Sequence, residues 1–294
     1  MTNHLASGCC ICEIRTGQEA IGYCPDLRLR RCGRCGLVYQ DRAFSTVELS
    51  NIYNETYYDH WGAKQNFETL WAIKVKSCLA YLELLTPSLS VPLVSPSLLD
   101  IGCAHGFMLE AAQQRGFRPV GIEVSPAGSI AKGQGFIVYD KSLLELRLQA
   151  QSFDIVTIID VLEHIPAPQE FMQEIRRILK PGGAVLIVTP DIGSWAAKIM
   201  KGKWPHLKLE HVTYFNRRAL SMLLTKMEFR VMRIRPSYKY LNFDYILGTF
   251  QKYTPGIFSR FLQITKRWIP ERLAKTSIRF QTEMLAIARR TDAC

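Results

Sequence analysis

Asp100, Gly102, Ala104, Gly106 and Glu123 are residues whose types and spacing suit the holding of a ligand. Leu98-Leu99-Asp100-Ile101-Gly102-Cys103-Ala104-His105-Gly106 reads as a strand running into a glycine turn, and Val120-Gly121-Ile122-Glu123 as a second strand closing on a carboxylate. Strand tips at the switch point of a doubly wound sheet leave a crevice. Small residues there let the backbone approach a ligand, and a carboxylate at the next tip can accept both hydroxyls of a ribose. Glu123 is therefore predicted to clamp a nucleoside. A dinucleotide would ask for G-x-G-x-x-G, with its third glycine where a pyrophosphate crosses a helix N-terminus. The order here is Gly102, Ala104, Gly106, and position 107 is Phe, so a phosphate cradle is not expected.

A second constellation lies at the N-terminus. Cys9-x-x-Cys12 and Cys32-x-x-Cys35 are two knuckles nineteen residues apart, the pattern of a four-cysteine zinc ribbon. Each pair can set two thiolates about 2.3 Å from one metal, and four thiolates leave no open coordination position, so the expected Zn2+ is structural. Cys10 and Cys24 are spare and could substitute as ligands. Cys78, Cys103 and Cys294 read as core, pocket wall and tail.

The elements that must position these residues alternate strand and helix, which argues a mostly parallel α/β sheet covered on both faces. Strands are predicted at 97–101, 118–122, 136–139, 153–159, 184–189, 229–235 and 283–288. Helices are predicted at 108–115, at 126–132 behind Ser125, and at 168–179, where Phe171, Ile175 and Ile178 turn inward. Residues 64–85 carry Leu70, Ile73, Leu79, Leu82 and Leu85 at helical spacing, and 88–97 reads as a Pro/Ser linker.

Asp100-x-Gly102-x-Ala104-x-Gly106 resembles the first motif of class I S-adenosylmethionine-dependent methyltransferases. The strand from Phe153 that closes with Asp160-Val161-Leu162-Glu163-His164-Ile165, and Leu179-Lys180-Pro181-Gly182-Gly183 before the next strand, agree with that family in order and wording. The resemblance runs roughly from 51 to 229, with a returning strand near 283–289. It implies a Rossmann-like, seven-stranded doubly wound sheet whose final strand is antiparallel. The ribbon ahead of such a core is similar to an arrangement in bacterial enzymes that modify sugars or surface glycans. Ala104 replaces the family's usual middle glycine, and its methyl is tolerable at ordinary backbone angles. The implied organisation is a zinc ribbon over 1–40, a lid and first helix over 41–96, and the cofactor-binding core over 97–240. A basic amphipathic helical insertion over 241–281 and a final strand and tail over 282–294 complete it.

The implied cofactor is S-adenosylmethionine. Asp100 would orient the glycine turn and the amino-acid end, Gly102 and Gly106 would give backbone approach, Cys103 and Ala104 would line the turn, and Glu123 would take the ribose. Ser142 and Leu143 occupy positions that line the adenine in related enzymes, with a helix cap and a core leucine as the alternative. Asp160 and Glu163 would orient the cofactor or a histidine. The run Tyr53, Tyr57, Tyr58, Asp59, His60, Trp61 often folds as a lid in such enzymes, whose aromatic faces suit a sulfonium or an adenine; anchoring of the following helix is the other reading.

Methyl transfer is an in-line displacement with a neutral leaving group, so the protein must position the acceptor and relieve it of a proton. Positioning can supply about 7 to 11 kcal/mol of barrier reduction, and a placed base about a hundred- to ten-thousandfold in rate. His211, in Glu210-His211-Val212-Thr213-Tyr214-Phe215, and His164 are the candidate bases, with His60 and His105 in reserve.

Composition narrows the class. The 294 residues can bury a full core. No run of eighteen apolar residues occurs, and residues 1–7 hold no apolar signal core, so neither a membrane span nor secretion is expected and the cytoplasm is the default. The net charge of +11 is uneven: from Lys198 onward there are twenty Lys and Arg against six Asp and Glu. Within that third, residues 245–273 mix Ile257, Phe258, Phe261 and Leu262 with Lys and Arg, which suits an anionic membrane surface at the inner face, a lipid-linked substrate or an acidic glycan, or else a helical cap over the acceptor. The leading function is O-methylation of a sugar, glycan or other small metabolite. An RNA methyltransferase gripping phosphates with ribbon and basic surface is the alternative, although neither the Asn/Asp-Pro-Pro-aromatic segment nor the Pro-Cys nucleophile of base-modifying enzymes is present. A non-catalytic scaffold is the third reading, opposed by Glu123 and the glycine turn.

Overall fold

The computed structural model describes residues 8–14, 18–22, 27–42, 67–88, 95–242 and 277–291. The aromatic run at 53–61 with His60, the basic stretch at 245–273, Cys24 and Cys294 lie outside the described residues.

Three short antiparallel strands come first: β1 (Gln18–Ile21), β2 (Leu29–Cys32) and β3 (Val38–Gln40). The chain continues through α1 (Phe67–Leu85), β4 (Ser97–Ile101), α2 (Phe107–Gln114), β5 (Arg118–Ile122), α3 (Gly128–Gly133), β6 (Ile137–Tyr139), α4 (Leu143–Leu146), β7 (Phe153–Ile159) and α5 (Pro168–Ile178). It ends with β8 (Leu179–Pro190), α6 (Trp195–Met200), β9 (Thr213–Tyr214), α7 (Arg217–Lys226), β10 (Phe229–Asn242) and β11 (Ser277–Arg290). Seven strands form one sheet in the order β10-β11-β8-β7-β4-β5-β6. From β8 to β6 the neighbours run parallel, while β11 is antiparallel to both β8 and β10. The order reverses at β4 and β7, so the crevice opens where their carboxyl ends diverge.

Alternation of side chains gives each face its own core. Leu99, Ile101, Val156, Ile158, Val185 and Ile187 meet Phe171, Ile175 and Ile178 of α5 and Leu220 and Leu223 of α7. Leu98, Ile155, Leu186 and Val188 meet Val75, Leu82 and Leu85 of α1 and Phe107 and Met108 of α2 on the other side. Helix α5 begins on Pro168, whose missing N–H would have no intrahelical partner there, and α7 begins behind Asn216, whose side chain accepts the Ala219 N–H at 2.8 Å.

Strands β4, β5 and β7 start and stop where the sequence places them. Strand β8 is longer than the expected 184–189: Phe153 pairs with Leu179 and Ile155 with Ala184, so residues 180–183 bulge from the ladder, and Lys180 Nζ reaches Asp154 at 2.8 Å. β10 and β11 run fourteen residues each, far past the expected 229–235 and 283–288, because ladder hydrogen bonds continue where the apolar pattern stops. β9 was not expected. It pairs with β3, Val38 opposite Tyr214 and Tyr39 opposite Thr213, so the cysteine-bearing strands are joined to the main body by backbone. Among the described residues no helix is long and apolar enough to cross a membrane.

Candidate active site

The turn after β4 folds back on β5: the N–H groups of Gly102 and Cys103 donate to Ile122 O at 2.8 and 3.0 Å. Gly102 has φ +75°, and a Cβ there would fall 2.3 Å from Val161 Cγ2, so only glycine lets this turn meet the segment after β7. Ala104 does not have the ordinary backbone angles expected of it; its φ is +47°, in the left-handed region. The strained turn aims its amide at Glu123. Oε2 of that carboxylate accepts the Ala104 N–H at 2.9 Å, and Oε1 accepts the Ser125 N–H at 2.9 Å. A carboxylate offers about four lone-pair sites, so two remain after these bonds, the number a ribose diol would use.

Asp100 is buried beside this turn, and Thr157 Oγ1 donates to its Oδ1 at 2.6 Å. Burial pushes its carboxyl up to about 7 against the Thr157 hydrogen bond, and the neighbouring Glu123 adds to the rise. Cys103 is buried against Leu109, Ala131 and Val138, where burial raises its thiol. Ser142 precedes α4, with Glu145 accepting from its N–H and its hydroxyl, and Leu143 is buried. Above the turn, His105 meets Phe67 at 5.7 Å and Phe107 at 5.5 Å between ring centroids, and Trp71 meets Phe107 at 5.0 Å. Burial lowers the His105 pKa.

The two histidines singled out from sequence are brought together. His164 and His211, forty-seven residues apart in the chain, have ring centroids 4.6 Å apart and stand nearly perpendicular at 88°. His164 ends a short 3-10 turn (Leu162–His164) after Asp160, itself at φ +55°, and His211 precedes β9. Two backbone bonds hold the segments together, with Val212 N–H donating to Glu163 O at 2.9 Å and Gln40 N–H to Val212 O at 3.0 Å. Gln40 Nε2 also donates to Leu209 O at 2.9 Å and His211 O at 2.8 Å. Glu163 is 1% exposed, and its Oε2 accepts from Thr189 Oγ1 at 2.9 Å. Burial, reinforced by the charge of Asp160, pushes Glu163 up to about 8; burial takes His164 down to about 4 and His211 well below its usual value. Both imidazoles are thus neutral near pH 7. Sequence reasoning missed Gln40 as a support for His211, since its partners are some 170 residues away in the chain.

Cys9, Cys12, Cys32 and Cys35 converge, their Sγ atoms all within 4.8 Å of one another. Cys9 and Cys35 sulfurs are 3.6 Å apart, close to the roughly 3.8 Å between two ligands about 2.3 Å from one tetrahedral ion. The Cys12 N–H points at Cys9 Sγ at 3.5 Å. Cys10 is buried outside this quartet. The unit is held to the body by Gln169 Nε2 on Cys10 O, Lys226 Nζ on Ile11 O at 3.1 Å, and Asn216 Nδ2 on Gly36 O at 2.7 Å. Gly36 has φ +75°, and a Cβ would fall 2.5 Å from Asn216 Nδ2, so the second knuckle needs glycine for this contact.

Residues 74–234 match the family model described as a methyltransferase domain. Ubiquinone biosynthesis O-methyltransferase of Histophilus somni is 32% identical over 126 residues, which cover 38% of this chain and 53% of that protein. The corresponding protein of Hahella chejuensis is 28% identical over 153 residues, covering 49% and 62%. The matches therefore span little more than half the length of these relatives. Among solved structures, S-adenosylmethionine-dependent methyltransferases of Thermotoga maritima and Archaeoglobus fulgidus superpose with TM-scores of 0.54 and 0.50, each at 17% identity. The first covers 83% of this chain and 100% of its own, the second 74% and 94%, and they share the α/β fold. With more than half of its residues in the family match, and with that fold around the crevice, the chain belongs to the methyltransferase-domain family.

Proposed function

We propose that the chain transfers a methyl group from S-adenosylmethionine to an oxygen of a small-molecule acceptor. The observation that carries this is the meeting of two half-sites across Gly102 and Val161: a glycine turn with the amide-braced Glu123 carboxylate on one side, and Glu163 with two neutral imidazoles on the other. The relatives named ubiquinone biosynthesis O-methyltransferases support oxygen as the acceptor atom.

The cofactor supplies an electrophilic methyl on a sulfonium. Glu123 takes the ribose hydroxyls, Gly102 to Gly106 admit the cofactor against backbone, Asp100 holds the turn through Thr157, and Ser142, Leu143 and Asp160 border the adenosine. His211, with His164 beside it, faces the acceptor and takes up the proton of its hydroxyl; burial keeps the ring in the form that has a free lone pair. The four thiolates would hold a structural Zn2+, and four protein ligands would leave it no open position for the chemistry. The finer proposal, a sugar or glycan hydroxyl as acceptor, is a matter for substrate screening.

Calorimetry and transfer of labelled methyl to phenols, vicinal diols, sugars and RNA test this together. Wild type is expected to bind the cofactor and label a small hydroxyl compound. Glu123→Ala should lose at least roughly tenfold in cofactor affinity, and His211→Ala should bind cofactor but transfer about a hundredfold more slowly. Unchanged affinity in Glu123→Ala overturns the crevice assignment; label confined to RNA promotes the nucleic-acid reading, and absence of cofactor binding the scaffold.

A further inference from the structure

We propose that Glu163, His164 and His211 form a second metal site, for a divalent cation of the zinc, manganese or iron class, with a coordination position left open for an oxygen ligand. One ligand atom from each residue lies within 4.8 Å of the others, and all three side chains are buried. Ligand bonds of about 2.0 to 2.2 Å would draw these atoms together by roughly an ångström.

The surroundings of the two rings suit them to this role. His164 Nδ1 lies 3.0 Å from Glu210 O, and a carbonyl only accepts, so Nδ1 carries the proton and Nε2 keeps its lone pair. Among the described residues the buried His211 Nδ1 has no hydrogen-bond partner, and the His206 backbone lies close enough to the ring to favour its protonated form. Nδ1 is accordingly the ring nitrogen that a cation would engage. His164 thus bonds the main chain through one nitrogen, the way metal-ligating histidines are oriented, and His211 brings a buried Nδ1 to the same cluster. Glu163 is fixed through Oε2 by Thr189, while Lys208 pairs with Glu210 at 3.6 Å.

The electrostatics agree with the geometry. Burial disfavours charge on all three side chains, Asp160 opposes ionisation of Glu163 further, and an added cation reverses both effects on that carboxyl. Two imidazoles and one carboxylate favour Zn2+, Mn2+, Fe2+, Co2+ or Ni2+ over Ca2+ and Mg2+, which take oxygen ligands. Three protein ligands leave the open position that four thiolates do not. The metal site stands on this cluster alone; with a cation bound the His211 lone pair is engaged, so the ion, holding the acceptor hydroxyl or two oxygens of a vicinal diol, would take over the activation assigned above to the His211 ring, a use that rests on the methyl-transfer reading.

The test uses the full chain, stripped with chelator and then loaded with Co2+, with metal per chain measured by mass spectrometry. Thiolate-to-cobalt absorption reports the cysteine quartet separately from a nitrogen–oxygen site. Wild type is expected to bind one equivalent more than His164→Ala or His211→Ala, with thiolate absorption equal in all three. Glu163→Gln keeps size and a hydrogen-bonding oxygen and guards against misfolding; it should bind the second ion at least tenfold more weakly while melting as wild type does. A single equivalent in wild type, or full second-site loading in Glu163→Gln, overturns the proposal. Cofactor titrations on the same samples separate the readings: two metals without cofactor binding would end the methyl-transfer assignment and leave this site standing.

Discussion

Ala104 shows what a single side chain costs at the crevice. At φ +47° its Cβ crowds the following carbonyl oxygen, a strain of about 1 to 2 kcal/mol for a residue with a side chain, yet its N–H must point at Glu123 Oε2 for the turn to close. Ala104→Gly relieves the strain but gives back about 0.5 to 1 kcal/mol through the freer unfolded chain. The expected net is a stabilisation of up to about 1 kcal/mol, seen as a rise of a few degrees in thermal melting, with the amide bond to Glu123 and cofactor affinity preserved. A lower melting temperature would show that the methyl packs usefully. Glu123 and the glycines were legible in the sequence because strand, turn and next strand tip lie within about twenty-five residues and obey one spacing rule. The left-handed angle at Ala104 was not, since alanine is ordinarily read as a residue without special backbone demands.

At the scale of elements, the lesson lies in β3 and β9. A two-residue strand has no periodicity to read, and Gln40 looks like any polar residue ending a short strand. Yet its side chain donates to Leu209 O and His211 O, and its N–H to Val212 O, so the cysteine-bearing strands fix the loop that carries His211. Gln40→Ala leaves the buried His211 carbonyl short of a donor and removes the bond to the more exposed Leu209 carbonyl, which costs about 1 to 3 kcal/mol of stability. The loop loosens, and misplacement by an ångström can cost a hundredfold in rate. The expected outcome is a methyl-transfer rate reduced roughly tenfold or more with cofactor affinity unchanged, since Glu123 and the glycine turn lie on other elements; calorimetry beside steady-state kinetics would read the split. Equal loss of both would mean that Gln40 supports the body as a whole. The parallel strands β4, β5 and β7 were legible because they are apolar runs bounded by glycine, proline and polar residues. The long arms β10 and β11 were not, since backbone pairing continues there past the apolar stretch.

The whole molecule sets the charge state of its buried groups, and Asp100 reports it. Two layers of helix around the sheet exclude water from this carboxyl, which burial pushes from 3.8 up to about 7 although Thr157 donates to it. Between those values the folded chain holds a proton that the unfolded chain has released, so stability falls as pH rises through the window from about 4 to about 7 and is level above it. Other buried groups titrate as well: His164, whose pKa lies at about 4, works in the opposite sense below its usual 6.5. A comparison with Asp100→Asn isolates the one carboxyl, because the amide keeps an oxygen for the Thr157 hydroxyl and does not titrate. Denaturant unfolding of both proteins across that window should show wild type losing ground to the variant as pH rises, with a slope approaching about 1.4 kcal/mol per pH unit at its steepest. A difference that stays flat with pH would mean that Asp100 is ionised in the fold at all these values, and that the crevice is wetter than its packing implies.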